Sequence, residues 1–393
     1  MQDPIVIVGM ARTPMGGLQG SLSSLTAAQL GAAAIAAAVQ RAGVAGEDID
    51  EALMGCVLPA GQGQAPARQA VLGAGLPQSV PSTTVNKMCG SGMKALMLGH
   101  DLLLSGNSQV VLAGGMESMS NAPYLLAKAR AGFRLGHGEI KDHMFLDGLE
   151  DAYQKGTLMG VFAEQCAEHY GFTRAVQDEF AIRSLTRAQE AIRAGRFVSE
   201  IAPVTLQGRK GSETVSEDEQ PLKANLDKIP QLKPAFKKDG TVTPANASSI
   251  SDGAAALVLM RASEAEQRGL TPLARIVGHS SHAQAPAWFT TAPTVAIEKL
   301  LGRIGWHADS VDLYEINEAF AVVTLAAMHD LKLPAEKVNL HGGACALGHP
   351  IGASGARIVV TLLAALQHYG LRRGVASLCI GGGEATALAI ERM

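Results

Sequence analysis

The chain has 393 residues, of which 47% are hydrophobic and 18% are charged, and its formal net charge is −3. This balance excludes a disordered chain and argues against a nucleic-acid-binding protein, which needs a basic face. The length predicts two or three folding units with large cores.

Strand-like and helix-like segments alternate along the chain. Residues 5–8 (Ile-Val-Ile-Val) read as a strand, and the Ala-rich segment 27–41 reads as a buried helix. Apolar segments 109–113 and 375–379 read as buried strands. Alternation of this kind predicts an α/β fold with mixed or parallel sheets between helices.

Five cysteines are widely spaced and form no Cys-x-x-Cys pair, so the sequence predicts neither a zinc site nor a disulfide framework. Reduced thiols are typical of the cytoplasm, which is the predicted location. The start of the chain, Met1-Gln2-Asp3-Pro4, has no basic residue and predicts no secretory signal.

Pieces of the first part of the chain recur in the last part in the same order and at nearly constant spacing. Residues 41–43, 91–94 and 114–117 are matched by 303–305, 354–357 and 381–384. The repeat predicts two half-chains of similar topology. They are residues 1–120, completed by 250–271, and residues 272–393. Residues 121–249, with a loop-like stretch from Gly208 to Pro234, read as an inserted loop domain that contacts substrate; a solvated surface excursion is the alternative.

Three segments place a cysteine or a histidine beside glycines: residues 86–92 (Asn-Lys-Met-Cys-Gly-Ser-Gly), 348–352 (Gly-His-Pro-Ile-Gly) and 379–383 (Cys-Ile-Gly-Gly-Gly). Helices are predicted to begin just after Cys89 and near Ser354, and the partial positive charge of a helix N-terminus favours a thiolate at Cys89. Two cysteines and a histidine suit covalent acyl transfer. Packing as a small hydrophobic residue is the alternative for any single cysteine.

These segments, together with Asn317-Glu318-Ala319-Phe320, resemble four motifs of the thiolase family in order and spacing. The resemblance covers essentially the whole chain. It implies a five-layered α-β-α-β-α sandwich of two repeated halves with an inserted loop domain. It also implies an acyltransferase that condenses two acetyl-CoA to acetoacetyl-CoA and CoA, and catalyses the reverse thiolysis, through a ping-pong acyl-cysteine mechanism. Coenzyme A is then substrate and product, with no tightly bound cofactor and no metal.

The resemblance assigns roles within the site. Cys89 is the nucleophile, His349 is a base of near-neutral pKa, and Cys379 exchanges the α-carbon proton of the second thioester. The backbone N–H groups of Cys89 and Gly381 form one oxyanion hole. A second oxyanion hole is formed by His349 and a water held by Asn317.

Contacts to CoA are implied in the same way. They are Ser248, Phe236, Ala319 and Phe320 along the pantetheine, Met159 and Leu158 at the short-acyl pocket, and Arg209 and Lys210 near the nucleotide phosphates. A basic pair that is simply solvated is the alternative for the last two. The chain also departs from the family at His341, Leu158 and Phe289. An imidazole at position 341 is expected either to perturb the pKa of His349 or to replace an amide hydrogen bond, and all three departures leave acyl-chain preference open.

Several alternatives remain open. A degradative 3-oxoacyl-CoA thiolase, including one for 3-oxoadipyl-CoA, uses the same residues. A non-catalytic CoA-ester or lipid carrier on this fold is disfavoured because all three reactive side chains are present. A 3-oxoacyl-ACP synthase is disfavoured because its chemistry needs no second cysteine. The predicted partners are acyl-CoA substrates, with no nucleic acid and no membrane. The resemblance implies a homotetramer that is a dimer of dimers: each dimer forms through the core halves, and residues 119–143 pair the two dimers. The predicted setting is fatty acid metabolism.

Overall fold

A computed structural model describes residues 3–208 and 211–393 of the chain. The first part of the chain ends with the fifth strand, at Ser118. In chain order its elements are β1 (Ile5–Arg12), β2 (Gly16–Gly17), α1 (Ala27–Ala42), β3 (Glu51–Gly55), α2 (Pro66–Gly73), β4 (Ser82–Val85), α3 (Ser91–Ser105) and β5 (Val110–Ser118).

The middle of the chain contains more regular structure than the predicted loop domain. In chain order its elements are β6 (Tyr124–Leu125), β7 (Lys141–Asp142), a π-helical turn (Phe145–Leu149), α4 (Met159–Tyr170), α5 (Arg174–Arg193), β8 (Val204–Gly208), β9 (Gly211–Val215) and α6 (Glu219–Lys223). The stretch predicted as a loop from Gly208 to Pro234 therefore includes one strand of a hairpin and a short helix. The bounds of the three predicted domains stay a prediction.

The remaining elements return to the pattern of the first part. In chain order they are β10 (Ser251–Arg261), α7 (Ala262–Gln267), β11 (Ala274–Ala283), α8 (Ala292–Ile304), β12 (Leu313–Ile316), α9 (Ala321–Leu331), α10 (Ala344–Leu347), α11 (Ile351–Tyr369), β13 (Arg373–Ile380) and β14 (Glu384–Arg392).

The two halves share one strand order. In the first half the order is β3-β5-β10-β1, and in the second half it is β12-β13-β14-β11. In both halves the first pair is parallel and the next two pairs are antiparallel. Hydrogen bonding between β1 and β11 joins the two sheets, with Val6 opposite Arg275 and Ile7 opposite Ala274. The topology therefore confirms the repeat.

Helices form the other three layers. α1 and α2 cover one sheet, α8 covers the other with α9 packed beside it, and α3 and α11 pack together between the two sheets. α11 is long and apolar enough to cross a membrane by length and composition, but 89% of its apolar window is buried inside the protein. Burial between the sheets explains that composition, since a central core helix has no solvent face.

The two central helices start close to their predicted positions. α3 begins at Ser91, two residues after Cys89, as predicted. α11 begins at Ile351, three residues before Ser354, because Pro350 precedes the first turn and its fixed φ favours a helix start. Each helix therefore begins directly after a segment that carries a reactive side chain.

Candidate active site

One cavity of 640 Å³ gathers most of the predicted site residues. The predicted residues on its wall are Cys89, His349, Cys379, Gly381, Ser248, Phe236, Leu158, Met159, Ala319 and Phe320. Its wall is mostly apolar, which suits the pantetheine arm and a short acyl chain. Asn317 lies behind the wall, and Arg209 and Lys210 lie outside the residues that the structure describes.

The loop between β4 and α3 presents Cys89. Met88 adopts a left-handed φ of 47°, which a non-glycine residue rarely takes. Ser91 secures this turn, because its hydroxyl donates to the Met88 carbonyl at 2.6 Å and accepts from the Lys87 N–H at 2.9 Å. The turn places the sulfur of Cys89 on the cavity wall.

The second cysteine loop lies against the first. Cys379 is the penultimate residue of β13, and the turn that follows uses left-handed φ values at Gly382 and Gly383. A Cβ on Gly90 would lie 2.4 Å from the end of the Ile380 side chain, so the two loops are in close contact here.

The environment of Cys89 raises its pKa to about 11, chiefly through burial. Its sulfur lies within hydrogen-bonding reach of its own N–H and that of Gly381, and both contacts oppose the rise. These N–H groups act in the direction predicted for the helix N-terminus, but desolvation exceeds their effect, so the thiol is the resting form. Burial and the neighbouring Cys89 likewise raise the pKa of Cys379.

His349 has a defined tautomer. Its Nδ1 lies 2.5 Å from Ser354 Oγ, and that hydroxyl donates its only proton to the Pro350 carbonyl at 3.0 Å. Ser354 must therefore accept from His349 Nδ1–H, which leaves the lone pair on Nε2. Nε2 is buried without a hydrogen-bond partner among the described residues, so the Cys89 thiol does not donate to it in this conformation.

Burial, with a smaller contribution from the Arg357 cation, lowers the pKa of His349 to about 3. The prediction of a near-neutral pKa is therefore wrong, because α11 holds the ring in the protein interior beside a buried guanidinium. The resting pair is a thiol and a neutral imidazole. In this state Nε2 can accept a proton but holds none to donate.

Asn317 is 1% exposed and follows β12. Its Oδ1 accepts from Arg357 Nη2 at 3.4 Å, and its Nδ2 has no hydrogen-bond partner among the described residues. Arg357 itself pairs with Glu315 on β12 at 3.6 Å. The amide is thus oriented with an unused donor, which is compatible with the predicted water.

Phe236 and Met159 form a narrow part of the cavity wall. A Cβ on Gly160 would lie 2.3 Å from the Phe236 ring, so the ring packs flat against the glycine of the Met-Gly pair. Leu158 precedes α4, and Phe289 packs edge-on against Phe320. The departures at positions 158 and 289 therefore both contribute apolar surface to this wall.

The departure at position 341 has neither of the expected effects. His341 is fully buried, and its two ring nitrogens have no hydrogen-bond partner among the described residues, so it replaces no amide hydrogen bond. Burial, Arg196 and His368 lower its own pKa to about 4. The pKa of His349 is shifted by burial and Arg357 rather than by His341.

Sequence reasoning missed three supporting residues and one wall segment. The supporting residues are Ser354, Arg357 and Glu117. All three lie in the matched pieces of the repeat, but the repeat by itself indicates no role for them. Glu117 is fully buried and accepts from the N–H groups of Val57 and Gly352. The missed wall segment, residues 145–153, has no motif that would reveal it.

The chain is similar to known proteins over its whole length. The family model described as "Thiolase, N-terminal domain" matches residues 5–263, and "Thiolase, C-terminal domain" matches residues 270–392. A probable acetyl-CoA acetyltransferase of Dictyostelium discoideum is 51% identical over 100% of this chain and 94% of that protein. Acetyl-CoA acetyltransferase 2 of Arabidopsis thaliana is 53% identical over 98% of this chain and 96% of that protein. A crystal structure of the Bacillus anthracis acetyl-CoA acetyltransferase superposes with a TM-score of 0.97 at 43% identity, covering 100% and 99% of the two chains.

Proposed function

The chain belongs to the thiolase family, and we propose that it condenses two acetyl-CoA molecules to acetoacetyl-CoA and free CoA and catalyses the reverse thiolysis. Relatives of about 50% identity that span nearly the whole chain carry the name acetyl-CoA acetyltransferase. The observation that carries the proposal is the convergence of two thiols and an imidazole with a free lone pair on one apolar cavity.

In the first half-reaction Cys89 takes the acetyl group. Its sulfur attacks the thioester carbonyl while Nε2 of His349 accepts the thiol proton, and the C–S bond to CoA breaks. The proton on His349 then passes to the departing CoA thiolate, which leaves as free CoA. The N–H groups of Cys89 and Gly381, both beside the sulfur, are positioned to stabilise the oxyanion.

In the second half-reaction Nε2 of His349 takes the thiol proton of Cys379, and the Cys379 thiolate then removes a proton from the methyl group of a second acetyl-CoA. The resulting carbanion attacks the acetyl carbonyl on Cys89, a C–C bond forms, the C–S bond to Cys89 breaks, and the Cys89 thiolate takes the proton held by His349. His349, whose Nε2 now carries that proton, and a water held by Asn317 are the donors proposed for the enolate oxygen. Burial raises the pKa of Cys379, which makes the Cys379 thiolate a stronger base once it forms.

The test is incubation with acetyl-CoA followed by peptide mass spectrometry and an assay of acetoacetyl-CoA. We expect an acetyl group on the Cys89 peptide, and no label or turnover in Cys89→Ala. Cys345→Ser is the matched control, because Cys345 lies outside this cavity, and it should retain both. Acetylation of Cys379 instead of Cys89 would contradict the assignment.

The proposal favours short acyl chains over the longer substrates of a degradative 3-oxoacyl-CoA thiolase. Leu158, Met159 and Phe289 line the cavity with bulky apolar side chains. Comparison of kcat/KM for thiolysis of acetoacetyl-CoA and of longer 3-oxoacyl-CoAs tests this. A higher kcat/KM for the longer substrates would favour the degradative alternative.

The enzyme is further proposed to act in the cytoplasm, in fatty acid metabolism, as a homotetramer. All five cysteines are free, in keeping with a reducing compartment. Large apolar side chains are exposed between residues 124 and 140, namely Tyr124 (69%), Leu126 (50%), Phe133 (45%), Leu135 (98%) and Ile140 (66%). A cluster of this kind is typical of an interaction surface.

A further inference from the structure

Three potential metal ligands meet away from the cavity. Nε2 of His279, on β11, lies 3.0 Å from Oδ1 of Asp101, on α3. Nδ1 of His100 lies 3.3 Å from the same oxygen. All three ligand atoms lie within 4.8 Å of one another, and the two imidazole rings meet edge to face with centroids 5.1 Å apart.

This spacing suits a tetrahedral ion. Zinc binds histidine nitrogen and carboxylate oxygen at about 2.0–2.2 Å, which sets neighbouring ligands about 3.3 Å apart in a tetrahedron. Imidazole and carboxylate together are a donor set for zinc and its neighbours in the transition series. The two distances to the Asp101 oxygen match this edge without movement of the backbone.

The exposure of the three side chains also favours an ion. The side chain of Asp101 is 53% exposed, whereas those of His279 and His100 are 14% and 10% exposed, so the cluster is open to solvent on its carboxylate side. Water from the open side can complete the coordination.

We propose that His100, Asp101 and His279 bind one divalent transition-metal ion of the zinc class. The ion would connect α3, the helix that follows the Cys89 loop, to β11 of the other half. Sequence reasoning predicted no metal because it looked for paired cysteines. Here the ligands come from two elements 178 residues apart, which only the fold brings together.

The test is zinc binding by full-length protein first dialysed against EDTA. Titration with zinc sulfate against a chromophoric chelator should find one equivalent bound, and His279→Ala should lower its affinity at least a hundredfold. His282→Ala is the matched control, because His282 lies on the same strand and contacts Gln284 and Lys299 instead of a carboxylate. Zinc should raise the melting temperature of the wild type and of His282→Ala but not of His279→Ala.

A metal ion bound at Cys89 or Cys379 can be distinguished from one bound at the histidine cluster. Cobalt(II) bound at this cluster should show visible d–d bands without a thiolate-to-metal charge-transfer band, and Cys89→Ala should keep the full equivalent. Equal zinc affinity in wild type and His279→Ala, a thiolate band, loss of the equivalent in Cys89→Ala, or no binding would each overturn the proposal. Catalytic activity is not a readout, so failure here is separate from failure of the proposed function.

Discussion

Glu117 and Glu384 occupy matching positions in the two halves. Each carboxylate contacts the chain at or just before the start of the central helix of the other half. Glu117 Oε2 accepts from the N–H of Gly352, in the first turn of α11, at 2.8 Å. Glu384 pairs with Lys87, two residues before Cys89. The pseudo-symmetry of the fold thus connects each half to the reactive loop of the other.

Glu117→Gln should lower the melting temperature by several degrees and slow acetylation of Cys89 about tenfold. The carboxylate accepts from the N–H groups of Val57, Leu58 and Gly352, and an amide cannot accept at both of its terminal atoms. A buried N–H left without a partner costs about 1–3 kcal/mol. Thermal unfolding and a quenched acetylation burst measure the two effects.

Glu298→Gln is the matched control for this change, because Glu298 lies exposed on α8, away from the cavity. It should leave both measurements unchanged. An unchanged melting temperature in Glu117→Gln would mean that the amide satisfies all three donors.

The rate of Cys89 acetylation should be independent of pH between about 5 and 9. His349, with a pKa of about 3, stays neutral over this range, and Cys89, with a pKa of about 11, stays a thiol. Base catalysis then starts from one protonation state throughout. The His349 pKa is depressed, so an acid limb is expected only as the pH falls towards 3.

In His349→Ala the residual acetylation should rise roughly tenfold per pH unit, because only the thiolate fraction of Cys89 then reacts. Quenched-flow acetylation over a pH series measures both profiles. An acid limb near pH 6.5 in the wild type would show that the acylating state does not keep His349 desolvated.

Ser354→Ala should reduce the acetylation rate up to about tenfold while leaving KM nearly unchanged. The hydroxyl accepts from His349 Nδ1–H and so keeps the lone pair on Nε2, and one hydrogen bond is worth about 0.5–1.5 kcal/mol. Ser105→Ala, at the exposed end of α3, is the control. A change confined to KM would indicate that Ser354 affects CoA binding instead.

The two repeated halves and the reactive side chains could be predicted because each leaves a recognisable pattern in the sequence. Glycine-flanked motifs and a long-period repeat can be recognised without knowledge of the fold. The sequence patterns did not indicate that the pKa of Cys89 is raised or that the pKa of His349 is lowered, because both shifts depend on burial, which packing of α11 between two sheets decides. The same limit applies to Arg357, whose partners Asn317 and Glu315 lie far from it in the chain.

A double change of Leu135→Asp and Ile140→Asp should convert the proposed tetramer to a dimer. These side chains are 98% and 66% exposed, and a buried carboxylate without a partner opposes association. Light scattering at micromolar concentration measures the mass. The acetylation burst per subunit should persist, because neither residue lies on the cavity wall. A monomeric wild type would refute the dimer as well as the tetramer.

Cys379→Ser should keep the acetylation burst and lose condensation at least a hundredfold, roughly the scale of general acid–base catalysis. Serine has nearly the shape of cysteine but a far higher pKa, so its hydroxyl cannot supply the base that removes the α-carbon proton. Acetylation needs only Cys89 and the lone pair on His349 Nε2. Cys379 makes no hydrogen bond to this nitrogen. Removing the neighbouring thiol also removes a group whose charge would oppose that of Cys89.

Both quantities are to be measured on one preparation of Cys379→Ser, with Cys166→Ser as the control for a buried thiol that is not on the cavity wall. The control should retain burst and condensation together. Intact condensation in Cys379→Ser would remove the base assignment. Loss of its burst would mean instead that Cys379 also supports the nucleophile, and the two half-reactions could then not be divided between the two cysteines.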